Sequence, residues 1–332
     1  MKMFKKIFVF LVVLIFIIFV ASRGKNYPDQ ELSYGATFSK KHSESLVGEK
    51  WRDNFIAALD DLNIKKFRIP AYWDEIQKNN AKDFDYTDFD WQIDEAGERE
   101  AQIILAVGYR LPRWPECHTP EWSKNVSSDE NEKNILAYIE ETVKHYRNRD
   151  AIVAWQIENE PFLKFFGNCP QLKKDFLDKE IALVKKLDNR PIVITDSGEL
   201  SLWVEAASRA DIFGTSLYLN TFSDKLHSYV HYPIGPWFFH LKKNLTSLFA
   251  NPKKWVVIEM QTEPWGPISY TQMSEKEKAR TMDLKKFQET INFGKKSGFS
   301  EFYLWGLEWW YWEKEIKNNP IFWEEAKKIY NQ

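Results

Sequence analysis

Short apolar runs alternate with longer amphipathic stretches along most of the chain. The apolar runs at 32–38, 65–71, 102–108, 152–158, 191–196, 211–217, 255–260 and 300–305 are rich in β-branched and aromatic residues, which predicts strands. Between them lie helical patterns. Residues 50–62 place Trp51, Phe55, Ala58, Leu59 and Leu62 on one stripe, and 130–147 do the same with Ile135, Ile139, Val143 and Tyr146. Residues 275–296 and 320–330 predict two more helices. Ser127 with Glu130 and Ser274 with Glu277 have capping-box spacing, and Pro320 suits a first helical turn that needs no N–H. Strand and helix repeated eight times predicts an α/β fold with a parallel sheet, closed as a single (β/α)8 TIM barrel. An open doubly wound sheet is the competing fold, but no glycine-rich turn follows the first strand. No low-complexity stretch divides residues 26–332, which predicts one barrel domain.

The N-terminus breaks this pattern. Lys2, Lys5 and Lys6 precede an unbroken apolar run from Ile7 to Ala21, followed by Ser22, Arg23, Gly24 and Lys25. A basic stretch before a short apolar one predicts an export signal or an uncleaved membrane anchor over residues 1–25, with anchoring through residues 7–22. Either leaves the barrel extracytoplasmic, secreted or held at the membrane, because the positive flank stays inside. No cysteine follows the run, which argues against a lipid anchor.

Net charge is -2, so the chain lacks the basic excess that phosphate binding needs, and no nucleic-acid partner is expected. Aromatic residues make up 16% of the chain, with 15 Trp. That surplus has two readings: flat amphipathic surfaces that stack on sugar rings, or a tryptophan-rich core. The six histidines show no metal-ligand spacing; His227 and His231 lie four apart without a third ligand and read as a loop pair. No phosphate loop or dinucleotide fingerprint is present, and Ser197-Gly198 lacks the hydrolase elbow pattern. Neither metal nor cofactor is expected.

Barrel enzymes carry their chemistry where the strands end. The fourth predicted strand ends in Gln156-Ile157-Glu158-Asn159-Glu160-Pro161, and the seventh, Trp255-Val256-Val257-Ile258, runs straight into Glu259. Each acid alone reads as a salt-bridged strand end or a solvated loop start. Together they put two carboxyls across one mouth, which is what glycoside hydrolysis requires: one acid that holds its proton and one carboxylate that attacks or activates. Glu263, four residues on, is a rival nucleophile in the loop. Glu158 is expected on the face of Glu160 one layer deeper, paired with a base such as Arg68 or Arg110.

Asn159-Glu160-Pro161 ending strand four and Glu259 ending strand seven resemble the signature of clan A, the large barrel clan of retaining glycoside hydrolases that includes families 5 and 42. The resemblance covers the chain from about residue 32 onward. It implies that Glu160 is the general acid/base, that Glu259 is the nucleophile and that Asn159 hydrogen-bonds the sugar 2-hydroxyl. It further implies that Arg68, in Phe67-Arg68-Ile69-Pro70, supports the nucleophile, that Tyr218 orients it and that Trp305 is the stacking platform. Two departures stand out. Ser216 lies where family 5 usually has a histidine. The mouth of strand three, where family 5 often has another, reads Gly108-Tyr109-Arg110-Leu111-Pro112-Arg113-Trp114-Pro115-Glu116. Tyr109, Arg110, Trp73, Trp114, Trp265, Trp309 and Trp310 fall after strands and either line the cleft or pack the loops. Cys117 and Cys169 follow neighbouring strands, so a rim disulfide is expected. The expected activity is retaining hydrolysis of an oligo- or polysaccharide. The alternatives are transglycosylation at the same site or a catalytically inactive, membrane-anchored barrel that binds glycans. A lyase would call for a lysine, histidine or metal cluster at the mouth.

Overall fold

Eight parallel strands close into a barrel in the order β1-β8-β7-β6-β5-β4-β3-β2. They are β1 (Ser33–Thr37), β2 (Lys66–Pro70), β3 (Gln102–Val107), β4 (Ile152–Ile157), β5 (Ile192–Asp196), β6 (Ile212–Leu217), β7 (Lys254–Gln261) and β8 (Glu301–Trp305). The computed structural model describes residues 4–9, 11–12, 31–164 and 166–331. The expected export segment lies largely outside them; among the described residues no helix is long and apolar enough to cross a membrane.

Alternation along the strands sorts side chains into two cores. Outward residues such as Ile103, Leu105, Ile157, Val257 and Met260 join the large cluster under the helices. Inward residues Ile104, Ala154, Val193, Val256, Ile258 and Tyr303 fill the middle of the barrel. Below them Lys66 and Lys254 donate to Glu301 Oε2 at 2.6 and 2.9 Å. Above them, two residues further along β2 than Lys66, lies Arg68. The interior is thus a salt-bridged floor, an apolar middle and a polar mouth.

The helices follow the amphipathic stripes at Trp51–Asp60, Ser128–Tyr146 and Ile321–Tyr330. Ser127 accepts from the Glu130 N–H, and Ser274 with Glu277 makes the full reciprocal capping box. Pro320 is the N-cap residue, one position before the first helical turn. The single helix expected over 275–296 is two, Glu275–Thr281 and Leu284–Lys295. Met282 and Asp283 are extended, and the Asp283 side chain accepts from the Lys286 N–H, starting the second helix afresh. Helix Leu307–Glu315 carried no stripe in the sequence because it buries nearly its whole circumference, including Trp309, Trp310 and Trp312. After β6 a small antiparallel hairpin pairs Asn220–Ser223 with Ser228–His231. His227 lies in its turn and His231 pairs with Asn220.

The tryptophan surplus serves mainly the core: Trp73, Trp155, Trp203, Trp309, Trp310 and Trp323 are all fully buried. Cys117 and Cys169 form a disulfide with their Cα atoms 5.3 Å apart, joining the loops after β3 and β4.

Candidate active site

Arg68 organises the mouth. Fully buried, it donates from Nε to Gln156 Oε1 at 2.7 Å, from Nη1 to Glu259 Oε1 at 2.6 Å and from Nη2 to Asn159 Oδ1 at 2.6 Å. The rigid guanidinium fork thereby fixes β2, β4 and β7 to one another, and the ion pair compensates a carboxylate that would otherwise be costly to bury. The second Glu259 oxygen, Oε2, accepts from the Tyr218 hydroxyl at 3.1 Å. Tyr218 is itself held, its N–H donating to Glu199 Oε1 at 2.8 Å and the next two N–H groups donating to Gln261 Oε1 at 3.1 Å.

Glu259 points inward because β7 slips phase. Val256 and Ile258 face the barrel interior, so strict alternation would turn Glu259 outward. Across from β6, however, Thr215 pairs with Val257 and Ser216 with Glu259, leaving Ile258 as an extra, bulged residue. The pairing with β8 shifts at the same level. Met260 then returns to the outer core. A bulge that re-aims one side chain is a known device beside functional sites.

At the end of β4 a second irregularity sets the other carboxyl. Glu158 and Glu160 both adopt left-handed φ, 57° and 43°. Such backbone costs about 1 kcal/mol or more for each non-glycine residue. The period of two stops at Ile157. Glu158 consequently swings outward, where its carboxylate accepts the N–H groups of Tyr109 and Arg110 at 3.1 and 2.7 Å and faces buried Glu180. It is not paired with Arg68, and its bond to Arg110 is through that residue's backbone. Gly108 makes room: a Cβ there would meet the Glu158 carboxyl at 2.5 Å. Glu160 swings to the mouth, its N–H donating to Thr195 Oγ1 at 2.8 Å.

The two mouth carboxyls are electrostatically unequal. Burial first, then the negative charges of Glu259, Glu116 and Asp196, push Glu160 well above the usual carboxylate range, with Arg110 opposing. Glu259 is instead bonded to a cation and a phenol. The arrangement offers a proton on β4 facing an ion-paired carboxylate on β7.

The other expected residues divide. Asn159 is in the network: besides Arg68, its Oδ1 accepts from Thr195 at 3.3 Å, and its Nδ2 donates to Glu116 Oε2 at 3.0 Å. Trp305 lies at the mouth with the Arg113 guanidinium 4.1 Å over its ring. Arg113 also pairs with Glu263, and with Glu308 Oε2 at 2.5 Å. Glu263 is thus paired with a buried arginine. Trp265 stands edge-on to Tyr218 at 5.2 Å and touches Phe166 at 5.5 Å. Phe166 in turn meets Trp114, an exposed rim residue. Tyr109 does not reach the centre. It packs in the outer core, near Glu158, Glu180 and Glu132 on the far side of the sheet. Trp73, Trp309 and Trp310 are core residues rather than cleft residues. Ser216, at the histidine position, accepts from the Gly198 N–H at 2.9 Å. Sequence reasoning overlooked Glu116, which belongs to the centre.

Comparison with known proteins agrees with the barrel fold. A model of the cellulase family, glycosyl hydrolase family 5, matches residues 32–260. Mannan endo-1,4-beta-mannosidase A of Emericella nidulans is 29% identical over 85 residues, 26% of this chain and 22% of that protein, so the match spans about a fifth of the relative's length. Among solved structures, a GH5_18 protein from Bifidobacterium longum subsp. infantis superposes with a TM-score of 0.57 at 12% identity, covering 83% of this chain and 69% of that one. A GH113 beta-1,4-mannanase gives a TM-score of 0.54 at 13% identity, covering 91% and 98%. A beta-galactosidase from the psychrophilic Marinomonas ef1 gives 0.56 at 12%, covering 90% and 59%. Identities this low bear on the fold alone.

Proposed function

The chain belongs to the cellulase family, glycosyl hydrolase family 5, and from that premise we propose that it hydrolyses β-glycosidic bonds with retention, using Glu160 as general acid/base and Glu259 as nucleophile. In the first step the Glu160 proton passes to the leaving glycosidic oxygen as the Glu259 carboxylate attacks the anomeric carbon, leaving a glycosyl-Glu259 ester. In the second, Glu160, now ionised, takes a proton from water, whose oxygen attacks the anomeric carbon and frees Glu259. Arg68 and the Tyr218 hydroxyl orient the nucleophile. Asn159 faces the sugar 2-hydroxyl, and Trp305 lies under the ring.

The observation that carries this reading is the inequality of the two carboxyls. Glu259 is held by Arg68 and Tyr218, whereas Glu160 is burdened by burial and by neighbouring negative charge. A retaining mechanism needs one group as nucleophile and the other as proton donor. β-Mannans are the first substrate class to test, because one relative is named for that activity.

The same reading includes export, with residues 1–25 as signal or anchor. The basic and apolar N-terminal sequence supports it, as does the Cys117–Cys169 disulfide, which suits an oxidising compartment.

The test is turnover of aryl β-mannoside, β-glucoside, β-galactoside and β-xyloside, and of soluble β-mannan and β-glucan. Wild type, Glu160→Ala and Glu259→Ala proteins are compared. Hydrolysis by wild type and its loss in both variants is expected. Undiminished turnover in either variant refutes the assignment, and glycan binding without turnover by wild type favours an inactive binding barrel.

A further inference from the structure

The reactive centre holds a carboxyl that the two-step reaction leaves unused. Glu116 ends the segment that follows β3, is 4% exposed, and accepts from Asn159 Nδ2 at 3.0 Å through Oε2. Its neighbours come from every side of the mouth: Arg68 from β2, Asn159 and Glu160 from the end of β4, Glu259 from β7, and Arg110 from its own segment, whose Nε lies 3.8 Å from Oε2. Burying an acid among two others is expensive. The chain nonetheless braces it there. Arg113 and Glu116 adopt left-handed φ of 83° and 74°. The Glu116 N–H donates to Arg113 O and its carbonyl accepts from Leu111, both at 2.8 Å. Gly167 of the next loop passes so close that a Cβ there would lie 2.8 Å from the Glu116 Cβ, and the Asn168 N–H donates to Pro115 O at 3.0 Å. The Cys117–Cys169 disulfide clamps the same two loops one residue further on.

We propose that Glu116 is a third carboxyl of the reactive centre, hydrogen-bonding a hydroxyl of the sugar that Glu259 attacks and aiming Asn159 at that sugar. The inference rests on the retaining-glycosidase reading above. Asn159 Oδ1 is already taken by Arg68 and Thr195, so Glu116 fixes the remaining, amide end of that side chain. Burial, and next the charge of Glu259, push Glu116 up to about 8, with Arg110 opposing. At neutral pH it is therefore a neutral acid. It accepts from Asn159 on one oxygen and has an O–H to give a sugar oxygen. Above about pH 8 Glu116 ionises, loses its donor and sets a second charge beside Glu259.

The test compares wild type, Glu116→Gln and Glu116→Ala on the aryl β-glycoside that wild type hydrolyses best and on its mono-deoxy analogues. Glu116→Gln keeps a neutral donor and acceptor of the same length. It should retain kcat/KM within about tenfold in mild acid and lose the alkaline decline assigned to Glu116. Glu116→Ala should lose about a hundredfold in kcat/KM without a lower melting temperature. At one deoxy position it should lose nothing more, which identifies the hydroxyl. Wild-type kcat/KM and pH profile in Glu116→Ala overturn the proposal, as do equal losses in both variants with lowered melting temperatures, which mark a structural role. Active wild type with indifferent Glu116 variants defeats this inference alone. Wild type inactive on every glycoside defeats the retaining-glycosidase reading and this inference with it.

Discussion

Arg68 Nη1 lies 2.6 Å from Glu259 Oε1, and the arginine is fully buried. Removing the cation strands a buried carboxylate. Arg68→Met is expected to cost about 3–5 kcal/mol of stability. Arg68→Lys keeps the charge but offers no planar fork to reach Gln156, Glu259 and Asn159 together. Its kcat/KM should fall at least about a hundredfold while the protein stays folded. Thermal unfolding and steady-state kinetics on the two variants check this; wild-type activity in Arg68→Lys contradicts it.

The bulge that aims Glu259 depends on a neighbour without a side chain. A Cβ on Gly214 of β6 would lie 2.9 Å from the Ile258 Cβ and 3.1 Å from Thr195 Cγ2. Gly214→Ala should therefore press on the bulged residue, cost about 1–3 kcal/mol and lower kcat more than KM. A variant with unchanged kcat would show that the bulge tolerates displacement.

Stability should fall as pH rises through neutrality. Burial raises Asp196 to about 6, Glu199 to about 7 and Glu116 to about 8, whereas unfolded carboxyls titrate near about 4. Between those limits these three carboxyls bind more protons folded than unfolded, while burial holds His42 and His118 below the usual imidazole range, so that they oppose the carboxyls below about pH 6.5. The contribution of the carboxyls is full below the unfolded value and is lost as pH climbs through the folded values. The melting temperature should thus decline from about pH 6.5 to about pH 8, and Glu116→Gln should remove the upper part of the decline. A melting temperature that rises over this range contradicts the assignment.

The disulfide closes 52 residues of sequence separation. On chain-entropy grounds its removal by Cys117→Ser with Cys169→Ser should cost up to about 4 kcal/mol. It should also lower activity, because the clamped loops present Glu116. Intact-mass measurement with and without reductant should show a two-proton difference in the wild type; no difference means no bond in the protein.

Much of this was legible in the sequence, and for a physical reason. The strands are short apolar runs with a helix between each pair, so their order and the barrel follow from pattern alone. Glu160 and Glu259 stand out because acids at the end of such a run have to be accommodated at a strand mouth. What pattern could not reveal are departures from period two. The extra residue at Ile258 and the left-handed Glu158 and Glu160 exist only in the backbone, and they reversed the expected direction of Glu158. Glu116 escaped notice because it lies in an irregular loop without periodicity; its signal was an acid among prolines and arginines directly before Cys117. Composition left two readings of the tryptophan surplus open, and helix Leu307–Glu315, which buries its tryptophans on all sides, favours the core. Trp309→Ala should accordingly cost about 3–5 kcal/mol, and Trp114→Ala, 63% exposed, within about 0.5 kcal/mol.

The most direct test of the account is covalent. The protein is incubated with 2,4-dinitrophenyl 2-deoxy-2-fluoro-β-mannoside and with the matching β-glucoside, digested, and mapped by mass spectrometry. The electron-withdrawing fluorine slows both steps and the activated leaving group restores the first, so a retaining enzyme accumulates its glycosyl ester. The account predicts one added fluorosugar on the peptide carrying Glu259, and none in Glu259→Ala. A label on Glu263 or Glu116, or none while the natural glycoside is hydrolysed with inversion, would contradict it.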